Sequence, residues 1–280
     1  MNDGSSIAGR ADAPGTLSRR PQSFFVLRET PCPYIPGRME RKLVTELSPR
    51  GWPDSYSNLS RAGFRRSHLF AYRPACRGCD ACVPVRVDAA RYKPSKSMRR
   101  IANRNADLTG TLRPPVSTYE QYLLFQRYLK SRHADGDMAR MSYGDFRAMV
   151  EETTAATRMA EFRDAEGRLV GGCLLDLLDD GCSAVYAFFE PAEHARSLGT
   201  FMIHWAIADT AMRGQRYVYL GYWIAQSRKM AYKTRFRPLE ALEAHGWRDL
   251  DDDAIAARKG AAGHSARISE EIPARDAAER

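Results

Sequence analysis

The 280-residue sequence has no long apolar runs. Nowhere does it approach the roughly 18 consecutive apolar residues that are needed to span a bilayer, and its first 30 residues contain no apolar run of signal-peptide length. We therefore expect a soluble, cytoplasmic protein with no membrane partner. Since thiols stay reduced in the cytoplasm unless they are catalytic or metal-bound, a disulfide framework is the least expected role for the six cysteines.

Negative charge is scarce in the first part of the chain. Residues 1–110 contain 20 Lys and Arg against 9 Asp and Glu, whereas the remaining 170 residues contain 23 against 25. The whole positive excess of this +9 protein therefore lies in its first part. A basic region of that size attracts polyanions, and nucleic acid is the usual one because phosphate contacts dominate its affinity. The alternative is a solvated basic surface without a partner.

Large apolar residues are scarce at both ends of the chain. Residues 1–20 are mostly Gly, Ser, Ala and Arg, and residues 251–280 are rich in Ala and Arg. Such segments bury little apolar surface, so we predict a disordered N-terminus and a flexible tail. Between them, the prolines at 114 and 115 break the chain. We place a domain boundary there, between a smaller basic α+β domain over 21–113 and a second domain over 114–250.

The apolar patterns predict the elements of each domain. In the first domain we predict strands over 23–29, 67–74 and 82–88, and then a basic helix capped by Ser95. In the second domain we predict two helices, three antiparallel strands, a helix, a strand and a short basic helix, over residues 117–133, 142–152, 157–164, 168–180, 182–191, 197–214, 216–223 and 225–236. This order resembles that of acyltransferases of the GCN5-related N-acetyltransferase type. The expected class is α/β (α+β).

One segment joins a predicted strand to a predicted helix, with the sequence "EPAEHARSLGTFMIHWAI". The N–H groups at such a helix N-terminus can hold an anion or a polarised carbonyl. In the acetyltransferases this position carries a Gly-rich pyrophosphate loop, but here only Arg196 and Gly199 match, with Thr200 where a further small residue is expected. This departure disfavours coenzyme A as the ligand. The alternative is an ordinary strand-to-helix turn.

Basic and aromatic residues alternate most densely between Arg213 and Glu240. This stretch contains seven basic residues and one acidic residue, interleaved with six aromatic ones: Tyr217, Tyr219, Tyr222, Trp223, Tyr232 and Phe236. Aromatic faces beside cations suit a single-stranded nucleic acid end, whose bases stack while its phosphates meet the charges. Because a strand sends alternate side chains into the core, we expect roughly half of the six to be structural.

Four blocks of the sequence resemble a known family. They are "CPYIPGRMERKLVTEL", "GFRRSHLFAYRPACRGCDACVPVRV", "RRIANRNADL" and "YLGYWIAQSRKMAYKTRFRPLE". Together, from about residue 24 to about residue 247, they resemble the bacterial branch of the arginyl-tRNA-protein transferase family. The resemblance implies transfer of an aminoacyl group from charged tRNA to the N-terminal α-amine of proteins that begin with Asp or Glu, which marks them for degradation under the N-end rule. It implies leucyl-tRNA as the donor, with arginyl-tRNA as the alternative.

The implied reaction needs no cofactor besides the aminoacyl-tRNA co-substrate, because the aminoacyl ester is already activated. The enzyme must orient a neutral amine, stabilise an oxyanion and deliver a proton to the leaving ribose oxygen. We expect backbone N–H groups at Gly199, or on the strand that contains Tyr222, to hold the oxyanion. Tyr232 lies where acetyltransferases of this fold often place a general-acid tyrosine, and the alternative is a tyrosine that packs on the sheet.

Two sets of residues are candidates for substrate binding. For tRNA they are four cations and one stacking aromatic: Arg196, Lys229, Lys233, Arg235 and Trp223. For the acidic N-terminal residue of the acceptor, which calls for a guanidinium facing a carboxylate, they are Arg38, Arg41, Lys42, Arg73 and Arg77. We favour Arg38, because the preceding Pro-Gly pair can hold it on a tight loop. For each cation the alternative is a solvated surface residue.

Four cysteines, Cys32, Cys76, Cys79 and Cys82, supply enough soft ligands for a zinc ion or an iron-sulfur cluster. The alternative is a packed loop of reduced thiols that shapes the acceptor pocket. The other two cysteines lie in predicted strands and are expected in the core. Two other functions stay open, namely a coenzyme A-dependent protein N-acetyltransferase and a non-enzymatic, zinc-containing nucleic-acid-binding module.

Overall fold

The computed structural model describes residues 22–47, 54–132 and 140–260. Its strands are β1 (Phe25–Val26), β2 (Thr30–Pro31), β3 (Met39–Glu40), β4 (Lys42–Glu46), β5 (Arg65–Ser67), β6 (Phe70–Pro74), β7 (Val83–Asp88), β8 (Thr109–Arg113), β9 (Thr157–Arg163), β10 (Leu169–Leu177), β11 (Gly181–Phe189), β12 (Tyr217–Trp223), β13 (Leu239–Glu243) and β14 (Gly246–Asp249). Its helices are α1 (Asp54–Arg61), α2 (Lys96–Arg104), α3 (Tyr119–Arg132), α4 (Tyr143–Glu151) and α5 (Leu198–Met212). Two 3₁₀ helices cover Pro191–Arg196 and Arg228–Arg235.

The largest sheet has the strand order β14-β13-β7-β12-β11-β10-β9-β8. Its central neighbours β11 and β12 run parallel, and the other neighbouring strands are antiparallel. The meander β9-β10-β11 and the crossover through α5 to a parallel β12 confirm the element order predicted for the second domain. The predicted acyltransferase-type α/β fold is therefore confirmed.

Helices cover both faces of this sheet because its central strands are apolar on both sides. Val170 and Cys173 of β10 pack into a core with α2 and α5, whereas Leu169 and Leu174 of the same strand pack into a core with α3 and α4. The successive residues Cys173 and Leu174 point to opposite faces, so α2 and α5 lie opposite α3 and α4. A register irregularity between Leu169 and Gly171 allows Val170 to share the face of Cys173. Ser95 accepts a hydrogen bond from the N–H of Met98, as predicted for the cap of α2.

A second, four-stranded sheet with the order β1-β4-β6-β5 forms the core of the basic lobe. A buried ion pair joins this lobe to the large sheet, since Arg66 of β5 donates to both carboxylate oxygens of Asp176 on β10 at 2.7 and 2.9 Å. Tyr56 of α1 and Thr157 of β9 donate to the same carboxylate at 3.0 and 2.7 Å. With every partner hydrogen-bonded, the buried charges are compensated, and the two sheets are held in one arrangement.

Strand pairing crosses the domain boundary expected at residue 114, and that boundary stays a prediction. Both β7 and β8 precede that position, yet β7 pairs with β12 and β13 and β8 pairs with β9 in the large sheet. Val83, Val85 and Val87 of β7 are buried in the main core there, and its strand partners lie far along the chain. The tail also differs from expectation, since residues 252–260 are helical and Ile255 is buried. Residues 1–20 and 261–280 lie outside the described part of the chain.

Two local expectations also change. The predicted strand over 23–29 is reduced to the two residues of β1, and the predicted strand over 67–74 is divided between β5 and β6 by a turn at His68, whose φ is 52°. Within the described residues, no helix is both long enough and apolar enough to pass through a membrane.

Candidate active site between two diverging strands

The parallel strands β11 and β12 pair only at one end. Their register joins Gly181–Ser183 to Tyr217–Tyr219 and then stops, although both strands continue. We call the opening between residues 184–189 of β11 and residues 220–223 of β12 the wedge. The backbone groups that line a wedge lack strand partners, so other groups must satisfy them or a ligand must.

Arg65 enters the wedge from β5 of the small sheet. Its Nη2 donates to the carbonyls of Ala184 at 3.0 Å and Val185 at 3.2 Å, two acceptors on the β11 side. Its guanidinium lies against Gly221 of β12, where a Cβ atom would stand only 2.3 Å from Nη1 and where φ is +72°. A glycine is thus required at this position by both the space and the backbone conformation.

Lys233 donates to a backbone carbonyl on the β12 side of the wedge, as Arg65 does on the β11 side. It lies on the second 3₁₀ helix with only 4% of its surface exposed, and its Nζ donates to the carbonyl of Tyr222. Burial, with the nearby Arg65 adding to the effect, brings the pKa of Lys233 well below its ordinary value. The expectation that Lys233 contacts tRNA phosphate is therefore corrected, because its ammonium group faces the protein interior.

Two further candidates are also buried. The hydroxyl of Tyr222 donates to backbone carbonyls, with Gly63 O at 2.9 Å and Tyr72 O at 3.0 Å, and burial raises its pKa. Trp223 is only 1% exposed and packs in the main core, so it is not available to stack on a base. Trp223 was predicted to stack on a base, and its burial corrects that prediction. The backbone N–H role expected on the strand of Tyr222 stays a prediction. Strand β12 uses both side chains to hold the sheet together.

Tyr232 is the most accessible of the six aromatic residues in this stretch, with 38% of its surface exposed. It lies on the same 3₁₀ helix as Lys233. Burial of its phenol raises its pKa, and the charge of Arg65 partly opposes this rise. The phenol is therefore close to the guanidinium in the wedge and is protonated at neutral pH. These properties suit a proton donor, and that role stays a prediction.

The N-terminus of α5 lies beside the far end of β11. Gly199, in its first turn, packs so closely on Phe189 that a Cβ atom would be 3.0 Å from the ring. The preceding Ser197 has φ +55° and makes no side-chain cap. Arg196, predicted to bind tRNA, instead donates to Asn105 Oδ1 at 2.9 Å and forms an ion pair with Asp107. Its guanidinium is thus already held by side chains that follow α2.

Of the arginines proposed to read an acidic residue, Arg38 and Arg77 line one pocket. This pocket has a volume of about 250 Å³, and Glu29, Met39 and Cys79 complete its lining. Gly37 adopts φ +73°, so the tight turn expected before Arg38 is confirmed. Two guanidiniums against one carboxylate leave the pocket net positive, which favours an anionic ligand.

The remaining three cations proposed for this role have other partners. Arg41 donates through Nε to the carbonyl of Ala75 at 2.8 Å. Lys42 forms an ion pair with Glu40 at 2.7 Å. Arg73 lies over the ring of Phe64 at 5.6 Å and donates to a backbone carbonyl. Because none of the three lines the pocket, the structure favours Arg38 and Arg77 as the pair that faces a bound carboxylate.

The four cysteines of the basic lobe lie near one another. Burial, together with the nearby Cys32, Cys79 and Cys76, raises the pKa of Cys82 to about 12. Across the described ranges, however, no three His, Cys, Asp or Glu side chains are placed so that they could hold a metal ion. The four thiols as they lie here do not fit a metal centre, and the prediction of zinc or a cluster finds no support in their arrangement.

The other two cysteines, Cys173 and Cys182, are buried, as predicted. Burial raises the pKa of Cys182 to about 11. Both thiols therefore stay protonated and inert in the core. The hydroxyl of Thr210 lies 3.3 Å from the sulfur of Cys182, within hydrogen-bonding distance, so this polar atom is satisfied inside the core.

Arg65 is the residue that the sequence interpretation missed. It stands next to Arg66 on a short strand, and adjacent strand residues point to opposite faces. Arg66 faces the buried Asp176, which leaves Arg65 directed into the wedge. Two adjacent arginines directly before the strand predicted over 67–74 were the available signal, because adjacent residues of a strand point to opposite faces.

Fold and site together define an acyltransferase-type protein. Its sheet has one parallel pair that diverges, a helix that begins near the end of one diverging strand, and basic side chains on both sides of the opening. A neighbouring pocket with two arginines provides a separate place for an anionic group. A donor and an acceptor can thus be held by different parts of the molecule.

The sequence comparisons identify the family. Residues 120–243 match the model described as "Arginine-tRNA-protein transferase, C terminus", and residues 30–100 match "Arginine-tRNA-protein transferase, N terminus". A protein of Gluconacetobacter diazotrophicus named aspartate/glutamate leucyltransferase is 52% identical over 243 residues, which cover 86% of this chain and 92% of that protein. One of the same name from Paramagnetospirillum magneticum is 50% identical, over 82% of this chain and 94% of that protein. The chain belongs to the arginine-tRNA-protein transferase family.

Likeness to solved structures is weaker. A structure titled "The structure of L-PGS from Bacillus licheniformis" has a TM-score of 0.41 and 13% identity, over 61% of this chain and 50% of that one. A GCN5-related glucosamine N-acetyltransferase region of a fungal β-N-acetylglucosaminidase has a TM-score of 0.38 and 13% identity, over 67% of this chain and 21% of that one. Scores this low support no conclusion about function.

Proposed function

We propose that this enzyme transfers leucine from leucyl-tRNA to the N-terminal α-amine of proteins that begin with Asp or Glu. One observation carries the proposal, namely about 50% identity, over 82–86% of this chain and 92–94% of each relative, to proteins named aspartate/glutamate leucyltransferase. The product would carry a new N-terminal leucine. The same reaction with arginyl-tRNA is the alternative donor, since the family model is described by arginine.

The wedge suits the aminoacyl ester of the donor. The ester is activated already, so the protein must only position it and stabilise the charge that develops on its carbonyl oxygen. Arg65 uses Nη2 for the two carbonyls of β11, while its Nη1 faces Gly221 across the opening. We assign to this guanidinium the stabilisation of the oxyanion, because it is a fixed positive charge at the point where the strands separate.

The pocket lined by Arg38 and Arg77 suits the acidic side chain of the acceptor. A guanidinium can bind a carboxylate through two parallel hydrogen bonds, which gives direction as well as affinity. An acceptor that starts with a neutral residue would leave the net positive charge of the pocket uncompensated. This arrangement supports selectivity for Asp and Glu at the first position.

The chemical step balances without a further reactant. The neutral α-amine attacks the ester carbonyl carbon, an amide C–N bond forms, and the bond from that carbon to the ribose oxygen breaks. The nitrogen loses one proton and the ribose oxygen gains one. Tyr232 is our assignment for the proton donor, because its raised pKa keeps the phenol protonated.

Transfer of radiolabelled amino acid to a synthetic peptide that begins with Glu tests this proposal. Leucyl-tRNA and arginyl-tRNA are compared as donors, with the N-acetylated peptide as the control. We expect label from leucyl-tRNA that depends on the free acidic N-terminus. Label from arginyl-tRNA alone would change the donor and keep the mechanism, and no label from either would overturn the transferase proposal.

A further inference from the structure

We propose that the exposed cations of α2, and of the loop before it, bind backbone phosphates in the stem of the donor tRNA. These residues are Lys93, Lys96, Arg99, Arg100 and Arg104, and we call them the α2 basic face. The inference rests on the proposed function and adds a tRNA-binding surface outside the wedge. It concerns the helical part of the tRNA, away from the esterified end that enters the wedge.

The α2 basic face gathers five exposed cations on one short segment without acidic partners. Elsewhere an Asp or Glu forms an ion pair with each of many arginines: Arg61, Arg66, Arg86, Arg91, Arg127, Arg163, Arg168, Arg196, Arg213, Arg216, Arg237 and Arg258. Among the described residues, no carboxylate forms an ion pair with any of the five cations of this face. Their charge is therefore available to a partner outside the chain.

This arrangement of charge opposes the stability of the helix. Lys96, Arg100 and Arg104 are spaced by four residues, so like charges repel along one stripe. The first turn contains a lysine and no acid, although the helix dipole favours negative charge there. By contrast, α3 and α4 carry Glu120 and Asp145 in their first turns. A charge pattern that costs local stability on α2 points to selection for binding.

The face is held rigidly and lies next to the site. Met98 and Ile101 anchor the opposite side of α2 in the main core. At its C-terminal end, Arg104 donates to the carbonyl of Ala195, and Asn105 Nδ2 donates to that of Arg196 at 2.9 Å. Those two carbonyls belong to the segment that leads into α5. A nucleic acid strand on α2 therefore runs toward the turn at which α5 begins.

The test compares two triple charge reversals with equal change in net charge. The first variant combines Lys93→Glu, Lys96→Glu and Arg100→Glu on the α2 basic face. The control variant combines Lys130→Glu, Arg147→Glu and Arg248→Glu, which are exposed residues on α3, α4 and β14. Leucyl transfer to a Glu-starting peptide is measured with two donors, intact leucyl-tRNA and a leucylated 3′-terminal trinucleotide that has no stem.

We expect the first variant to raise the KM for leucyl-tRNA by at least roughly 10-fold, with kcat nearly unchanged, because several phosphate contacts are lost. Its KM should also depend less steeply on salt between about 50 and about 200 mM, since fewer counterions are released on binding. The trinucleotide should react equally well with all three proteins. The melting temperature should not fall, because Lys96→Glu places a carboxylate in the first turn of α2.

Every other outcome contradicts either this inference or the proposed function on which it rests. An unchanged KM for leucyl-tRNA in the first variant, or an equal rise in both triple variants, would overturn the α2 surface and leave the transferase intact. Absence of transfer by the wild-type enzyme from either donor would overturn the proposed function itself. If the first variant melts early, the milder Lys96→Gln, Arg100→Gln variant is judged by the same KM and salt criteria.

Discussion

At the scale of single residues, two adjacent arginines show how position decides role. Arg66 forms a buried pair with Asp176, whereas Arg65 enters the wedge and donates to Ala184 and Val185. The strand alternation that separates them is visible in the sequence, but their partners are more than 100 positions away. A count of basic residues alone would assign both arginines to the solvent-exposed surface. Several cations of the first part of the chain, such as Arg61, Arg66 and Arg86, are in fact paired with carboxylates.

Tyr232 is expected to act in the chemical step and not in tRNA binding. Tyr232→Phe should lower kcat by roughly 100-fold, because the ring stays and only the proton donor is lost, while the KM for leucyl-tRNA changes little. Steady-state kinetics with leucyl-tRNA as the varied substrate measure both constants. Tyr119→Phe, at another exposed tyrosine, serves as the matched control. A kcat equal to that of the wild type would remove Tyr232 from the mechanism.

Lys233 links stability to pH. Its pKa is lowered in the folded protein, so the unfolded chain binds more protons than the folded chain at any pH between the folded and the unfolded pKa of this residue. Stability from this residue therefore increases as pH rises through that window. Melting temperatures from about pH 6 to about pH 9 should rise less steeply for Lys233→Met than for the wild type, because that variant has no proton to lose. Parallel profiles would contradict a lowered pKa.

At the scale of elements, loops that are remote in sequence converge on the acceptor pocket. The turn before β3 positions Arg38, and the cysteine loop between β6 and β7 positions Arg77. Sequence reasoning named both, because a carboxylate ligand calls for a guanidinium, but it could not separate them from Arg41 and Arg73. What separates them is the path of the backbone, which places Arg38 and Arg77 in the lining of the pocket and leaves the other two arginines outside it.

Removal of either pocket arginine should weaken acceptor binding. Arg38→Gln and Arg77→Gln should each raise the KM for a Glu-starting peptide by roughly 10-fold or more, because a charge-assisted hydrogen bond to the carboxylate is lost. Arg73→Gln should have little effect on that KM. The measurement is peptide kinetics at saturating leucyl-tRNA. An effect of Arg73→Gln equal to that of the pocket variants would contradict this assignment.

The junction between the two sheets should be sensitive to one carboxylate. Asp176→Ala leaves Arg66 buried without its counterion, which should destabilise the protein by about 3 to 5 kcal/mol. Asp179→Ala provides the control, since its ion pair with Arg61 is partly exposed and such pairs contribute about 1 kcal/mol or less. Urea denaturation measures both changes in free energy of unfolding. Equal effects of the two substitutions would show that the buried network is not what holds the sheets together.

At the scale of the whole molecule, local patterns predicted most of the elements but not their grouping. The helices, the meander and the parallel strand after α5 follow from periodicity and turn residues. The membership of β7 and β8 in the large sheet does not, because pairing of β7 with β12 depends on residues more than 100 positions away. The wedge could not be predicted from the sequence for the same reason, because it forms only where a strand of the small sheet meets two strands of the large sheet.

The central claim is that Arg65, reaching from one sheet into the other, stabilises the reacting ester. The most direct measurement is the single-turnover rate of leucyl transfer, at saturating leucyl-tRNA and Glu-starting peptide, for Arg65→Gln and Arg65→Lys. We predict a loss of roughly 100-fold or more for Arg65→Gln, the usual cost of losing an oxyanion donor, with an unchanged melting temperature and partial recovery in Arg65→Lys. A well-folded Arg65→Gln enzyme with a rate close to that of the wild type would contradict the account.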